Sequence, residues 1–229
     1  MPYEDAKVYW DGKNHIYGLK TEIAISARSP HYCLFTCPAV PASKHDYELH
    51  KEIYRQYMGY LRMTPEEMIQ NEAQVEHAYW LIMGDKGYVG PADDTHPIER
   101  VVPKKGTLTE ADRQRNISIN RERVVVEQYL GRLAKLWSTM SRGWRWDHGH
   151  FDIDFEIACM LTNEHITTTR LDDEDATFYK QLLESYETTH LVRRAKRTAA
   201  ARNSRHVRNV HRATMLGLEA VLHQADEYE

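Results

Sequence analysis

Residues 116–137 of this 229-residue chain read NISINRERVVVEQYLGRLAKLW. Apolar residues recur there every three or four positions, at Val126, Leu130, Leu133 and Trp137. That spacing places them on one face of an α-helix, so the stretch predicts an amphipathic helix, for which Ser118 is a candidate N-cap. It is the most strongly patterned segment of the chain, and the other elements are assigned around it.

Two strands and two helix starts precede this helix. Residues 15–27, HIYGLKTEIAISA, are rich in β-branched and aromatic residues and predict a strand. Residues 31–37 predict its partner across the turn Arg28-Ser29-Pro30. Residues 46–62 have the apolar spacing of a helix, and Thr64-Pro65-Glu66-Glu67 combines a capping threonine with an N-terminal proline and acids.

The remaining segments complete an α/β pattern. Residues 78–84 predict a short buried strand, and residues 91–110 predict a loop punctuated by proline and glycine. Residues 151–166 predict a helix that packs on the sheet, and the tail is expected to be helical with a loose basic face that nothing in the sequence requires to join the core. This order of strands and helices predicts an α/β fold with a mixed sheet.

Composition favours an intracellular globular protein without a membrane segment. The hydrophobic share of 41% and the charged share of 28% are ordinary for such chains. No run approaches the roughly 20 apolar residues that a membrane span needs, and the first residues lack the features of a secretory signal. Three cysteines, Cys33, Cys37 and Cys159, are too few for a disulfide framework and are expected to pack in the interior.

Charge is distributed unevenly along the chain. The net charge is −4, yet residues 193–212 hold eight Arg and Lys residues and no acid, so the rest of the chain carries −12. Any contact with nucleic acid must therefore use local patches. The candidates are Arg193, Arg194, Lys196 and Arg197, which could contact phosphates or form a nuclear-import signal. The alternative is a solvated helix face balanced by the acidic cluster 172–175.

An aspartate stands between two glycines directly after the predicted strand 78–84. The stretch GDKGYVG covers residues 84–90 and contains Asp85 and Lys86. A carboxylate at a strand end is held rigidly, and flanking glycines let a metal ion or phosphate approach the backbone. The alternative is that Asp85 caps the following turn.

Two further acids could join Asp85. Glu127 lies among valines, which predicts a place at the margin of the buried face, although a salt bridge with Arg123 one turn earlier is the alternative. Asp46 opens the helix over 46–62, where capping alone would explain it. Together the three acids suggest a site for Mg²⁺ or Mn²⁺, and a pair of such ions about 3.5–4 Å apart can clamp a phosphodiester during displacement.

Several motifs in order resemble the Harbinger-type DDE transposases and their domesticated relatives over about residues 2–166. The matching pieces are Gly12-Lys13, Gly18-Leu19-Lys20, His45-Asp46, Asp85-Lys86-Gly87-Tyr88, Asn116, Arg123-x-x-x-Glu127, Gly131-Arg132-Leu133-Ala134-Lys135 and Cys159-x-Leu161-Thr162-Asn163-Glu164-His165-Ile166. Each piece is weak by itself, but their common order is specific.

The resemblance implies an RNase H-like domain over residues 1–168; it does not explain residues 169–229, which the sequence pattern predicts to be an acidic and then basic helical extension. It implies that Asp46, Asp85 and Glu127 bind divalent cations and that Asp85 and Glu127 serve catalysis on DNA. Lys86 and Arg123 would then lie near the DNA, in a nuclear protein that works with a separate DNA-binding partner.

Two departures from the family pattern leave an alternative open. The family's first catalytic aspartate would fall before Met1, so the chain is expected to lack the first, central strand of the sheet. The glycine that usually precedes the His-Asp pair is also absent, since Pro41-Ala42-Ser43 stands there. The alternative function is a catalytically inactive transposon remnant that binds DNA or a partner protein.

Overall fold

The computed structural model describes residues 6–13, 16–72, 78–84, 100–101, 103–104, 106–141, 144 and 146–226, without the side chains of 206, 209, 210 and 213–226. The chain divides into two compact units, Met1–Leu183 and Glu184–Glu229. The predicted domains, 1–168 and 169–229, stay a prediction. No helix in the described ranges is long and apolar enough to cross a bilayer.

Short strands pair two by two in the described part of the first unit. They are β1 (Trp10–Asp11), β2 (Ile16–Tyr17), β3 (Leu19–Lys20), β4 (Ile23–Ile25), β5 (Cys33–Thr36), β6 (Val40–Pro41), β7 (Ile82–Met83) and β8 (Arg100–Val101). The pairs β1–β2, β3–β6 and β4–β5 are antiparallel, and β7–β8 is parallel. A single RNase H-like sheet therefore stays a prediction.

Helices make up most of the regular structure. They are α1 (Asp46–Leu61), α2 (Pro65–Gln70), α3 (Glu110–Leu136), α4 (Ser138–Ser141), α5 (Phe151–Thr168) and α6 (Asp173–Asp226). The mixed α/β class and the helices predicted over 46–62 and 151–166 are confirmed. The predicted helix start at Thr64 is also confirmed, because Thr64 and Glu67 form a reciprocal capping box.

Several predicted bounds were wrong. The strand predicted over 15–27 is divided into β2, β3 and β4, which pair with β1, β6 and β5 respectively. The strand predicted as buried over 78–84 is only Ile82–Met83, and Leu81 and Met83 are exposed on one side of it. This alternation is typical of a strand with one face exposed to solvent. An apolar run in the sequence does not distinguish such a strand from one that is buried on both faces. The helix α3 begins after Thr109 rather than Ser118, because Thr109 and Asp112 form a capping box there.

One core lies between α1 and the β4–β5 hairpin. Its buried members are Phe35, Cys37, Leu49, Ile53, Tyr54 and Tyr57. A carboxylate enters this apolar cluster: Glu22 Oε1 accepts from Tyr57 Oη at 2.6 Å and lies 3.0 Å from His50 Nδ1. Buried charge is tolerated only when such partners compensate for lost hydration, so this network ties the strand segment to α1.

A second core joins α3, α5 and β5. Tyr129, Leu133, Phe155, Ala158, Cys159 and Ile166 are its buried members. The side-chain amide of Asn163 accepts from Cys33 N and donates to Cys33 O, both at 2.8 Å. Since these bonds satisfy the backbone of β5, α5 is fastened to the strand, as the predicted packing of this helix on the sheet required.

The start of α6 is anchored to α3, although nothing in the sequence required the tail to join the core. Arg132 Nε and Nη2 donate to the two carboxylate oxygens of Asp175 at 3.1 and 2.6 Å, and Lys135 Nζ donates to Oδ1 at 2.8 Å. Arg132 also donates to the carbonyls of Thr169 and Arg170. Asp175 is fully buried, so the pair is a desolvated, bidentate ion pair.

A glycine permits this approach of the two helices. A Cβ placed on Gly131 would lie 1.9 Å from the carbonyl oxygen of Asp175. That distance is impossible for any other side chain without moving the backbone of α6.

We predict that Gly131→Ala lowers the free energy of unfolding. The steric conflict with the Asp175 backbone should cost about 1–3 kcal/mol, which exceeds the roughly 1 kcal/mol that alanine gains in a helix. Gly59→Ala is the matched control, because Gly59 lies in α1 with nothing within 4 Å of an added Cβ. Urea unfolding should show the control to be as stable as wild type or more so; an equal loss in both variants would contradict this account.

We also predict a pH-dependent effect of Asp175→Asn. Burial tends to raise the pKa of the Asp175 carboxyl, but hydrogen bonds from Arg132, Lys135 and the backbone outweigh it and hold the pKa below its ordinary value. A lowered folded-state pKa adds stability above the unfolded pKa of about 3.9, and this stability disappears as the pH falls through the folded value.

The variant should therefore be less stable than wild type by about 3 kcal/mol at neutral pH, because Arg132 is left buried without its counterion. Urea titrations should show that this difference in the free energy of unfolding becomes smaller below about pH 4. Glu174→Gln, at an exposed acid in the same turn, is the control and should change little. A difference for Asp175→Asn that stays constant into acid would rule out this role for the carboxylate.

Candidate active site

Asp46 occupies the first turn of α1. The N-cap is His45, whose Nδ1 accepts from Tyr47 N at 3.2 Å, so Asp46 is not the capping residue. A negative charge in the first turn interacts favourably with the helix dipole. The Asp46 carboxylate therefore lies at the N-terminal end of α1, and 34% of its side chain is exposed.

Lys20 fixes the orientation of that carboxylate. Its ammonium group donates to Asp46 Oδ1 at 2.8 Å and to the carbonyl of Lys44 at 2.7 Å. The pairing of β3 with β6 brings Lys20 beside the segment that leads into α1. The ammonium orients the Asp46 carboxylate, and any cation that binds Asp46 must share the carboxylate with Lys20 or displace it.

Lys20 and Glu22 together attach one strand segment to α1. Lys20 holds Asp46 in the first turn, and Glu22 holds His50 and Tyr57 further along the helix. Our sequence analysis missed this role of both residues. The available signal was the pair of opposite charges, Lys20 and Glu22, two positions apart in a strand-like segment. Residues i and i+2 of a strand face the same side, so this pair indicated a shared contact surface.

Glu127 lies on α3 but is exposed, so its predicted place at the margin of the buried face was wrong. The buried side of the helix passes through Tyr129, two residues later. Two residues turn a helix by about 200°, so Glu127 points away from that side despite the neighbouring valines. Arg123, one turn earlier, is half-buried, and its predicted pairing with Glu127 stays a prediction.

Asp85 and Lys86 lie outside the described residues. The last described residue before them is Gly84, which is buried and donates its N–H to the carbonyl of Val101 at 3.0 Å. The predicted convergence of Asp46, Asp85 and Glu127 is therefore a prediction still.

The described acids fit a hard divalent cation in chemistry and access. Carboxylate oxygens are the ligands that Mg²⁺ and Mn²⁺ prefer, and both Asp46 and Glu127 can be reached from solvent. Within the ranges that the structure describes, no three His, Cys, Asp or Glu side chains are grouped closely enough to hold a metal ion. A complete site would thus need Asp85.

The predicted nucleic-acid contacts fall in two places. Arg193, Arg194, Lys196 and Arg197 all lie exposed on α6, within the second unit. Arg123 belongs to α3 in the first unit. The nucleic-acid role of these side chains stays a prediction.

Comparison with known proteins places the chain in a family. Searches of curated proteins and of solved structures gave no match. A family model described as DDE superfamily endonuclease matches residues 2–163, a segment that includes Asp46, Asp85 and Glu127. Since this match covers well over half of the 229 residues, the chain belongs to the DDE superfamily endonucleases.

Proposed function

We propose that the chain is a Harbinger-type nuclease domain with an RNase H-like core that hydrolyses or transfers DNA phosphodiesters with the help of divalent cations. Membership of the DDE superfamily endonucleases is the observation that carries the proposal. The accessible carboxylate of Asp46, oriented at a helix start by Lys20, supports its assignment as one ligand.

In this proposal Asp46, Asp85 and Glu127 hold the cation, and Asp85 and Glu127 serve the chemical step. The bound cation would act as a Lewis acid on a phosphodiester oxygen and lower the pKa of an attacking water or hydroxyl. Lys20 orients the Asp46 carboxylate before a cation arrives. Because cation and ammonium compete for one carboxylate, Lys20 also weakens non-specific cation binding.

The substrate in this proposal is DNA, and the place of action is the nucleus. A separate DNA-binding partner would supply sequence recognition. The basic run over 193–212 supports both the substrate class and nuclear import, since its charge is concentrated in one uninterrupted stretch of helix.

We predict that the purified chain nicks supercoiled plasmid DNA with Mg²⁺ or Mn²⁺ and is inactive with EDTA. The triple variant Asp46→Asn, Asp85→Asn, Glu127→Gln should lose nicking, because each neutral side chain is a poor ligand for a hard cation. The same variant should lose the stabilisation by Mn²⁺, which for a ligand at about 100 times its Kd amounts to about 2.7 kcal/mol in wild type.

Two exposed acids on the same helices provide the control. Glu48→Gln on α1 and Glu122→Gln on α3 remove equal charge from α1 and α3 without touching the proposed ligands. This control should retain both nicking and the Mn²⁺-dependent rise in melting temperature. A wild-type chain that is folded, shows no Mn²⁺ stabilisation and does not nick DNA would refute the proposal; Mn²⁺ stabilisation without nicking would refute the catalytic part.

A further inference from the structure

The middle of α6 presents a basic surface. All eight Arg and Lys residues between 193 and 212 are exposed, and they lie in one helix that runs to Asp226. No Asp or Glu occurs from residue 188 to residue 218. Among the described residues of the second unit, no carboxylate forms an ion pair with these eight cations.

The acidic cluster upstream is already engaged elsewhere. Asp175 binds Arg132 and Lys135, and Asp173 Oδ1 accepts from Gln128 Nε2 at 3.1 Å. Asp172 Oδ1 accepts from Asp175 N at 3.0 Å and so caps the start of α6. Three of the four acids of the cluster thus have partners within the first unit, and the alternative that the cluster balances the basic run stays a prediction.

Most of the basic residues share one face of the helix. At 100° for each residue, six arginines fall within a sector of about 120° that extends about 29 Å along the helix axis. They are Arg193, Arg194, Arg197, Arg205, Arg208 and Arg212; we call this sector the arginine face. Lys196 and Arg202 lie outside it.

The arginine face contains like charges three and four residues apart. Arg193 and Arg197, and likewise Arg208 and Arg212, are spaced at i, i+4, where like charges repel and destabilise a helix. The guanidinium of Arg208 contacts only the carbonyl of Ser204 within its own helix, at 3.3 Å. A bound polyanion would relieve this repulsion over the whole face.

We propose that the arginine face binds the phosphate backbone of duplex DNA, with α6 lying in the major groove. An α-helix about 10–12 Å across fits the B-form major groove, about 12 Å wide, whereas the major groove of A-form RNA is too narrow. The opposite side of the run holds Ala195, Ala199 and Asn203, and Val207 and Val210 are the largest aliphatic residues of the whole run. The run therefore has none of the Trp, Phe or Leu side chains with which helices enter a membrane surface.

This inference rests on the proposed function only for the choice of DNA, and it assigns a binding site separate in sequence from the carboxylates.

The test measures fluorescence anisotropy of a short labelled DNA duplex in EDTA, over a range of NaCl concentrations. Arg197→Gln with Arg208→Gln removes two charges from the arginine face. Lys180→Gln with Arg202→Gln removes the same charge from exposed positions of α6 outside it.

The double variant on the face should weaken binding more than tenfold at about 0.1 M salt and reduce the slope of log K against log salt by about 1.8. The control double variant should stay within about threefold of wild type, and Arg197→Lys with Arg208→Lys should also bind well, since both charges remain. Circular dichroism checks that the helix is retained in each variant.

Equal losses in both Gln double variants would overturn the arginine face, because net charge alone would then explain binding. Tighter binding to vesicles of anionic phospholipid than to the duplex would overturn the choice of DNA. The triple carboxylate variant should bind the duplex in EDTA as wild type does. If wild type binds the duplex but never nicks DNA, only the nuclease proposal is refuted. If wild type nicks DNA and Arg197→Gln with Arg208→Gln binds the duplex as tightly as wild type, only the arginine-face proposal is refuted.

Discussion

The buried ion pair between Arg132 and Asp175 is the interaction on which the first unit most depends. A charge without water is tolerated only when its partner is fixed at hydrogen-bonding distance, and here four N–H groups donate to the Asp175 carboxylate: Arg132 Nε and Nη2, Lys135 Nζ and Asp172 N. The guanidinium of Arg132 also binds the carbonyls of Thr169 and Arg170 just after α5, and Gly131 lets the helix backbones meet. One residue thereby joins three helices, and the loss of Asp175 would leave the buried guanidinium without its bidentate partner.

The candidate active site depends on a similar arrangement at the other core. The segment that holds Lys20 and Glu22 contacts α1 at its first turn through Asp46 and in its body through His50 and Tyr57. The interior end of this contact is buried, whereas the Asp46 end opens to solvent. Packing thus fixes the helix that carries a candidate ligand, and the ligand itself stays accessible to a cation and to DNA.

The features that could be predicted from sequence are those with a local signature. The helices over 46–62 and 151–166 followed from apolar spacing, and the Thr64 start followed from capping chemistry. The true start of α3 was missed because the Thr109 and Asp112 box lies before the apolar stripe begins. Arg132 and Asp175 are 43 positions apart in the sequence, and apolar periodicity cannot predict a contact between residues so far apart. The burial of Glu127 was predicted wrongly because the valines before it suggested a buried face, although the turn of the helix directs Glu127 away from the buried side.

The central claim is that Asp46, Asp85 and Glu127 converge on one cation. Replacement of that cation by Fe²⁺, followed by ascorbate and peroxide, generates hydroxyl radicals that cut the backbone next to the metal, and mass spectrometry maps the cuts. The account predicts cuts around all three residues, each suppressed by excess Mg²⁺ and absent from the triple carboxylate variant. Cuts near only one of the three, or cuts that persist with excess Mg²⁺, would contradict a shared site.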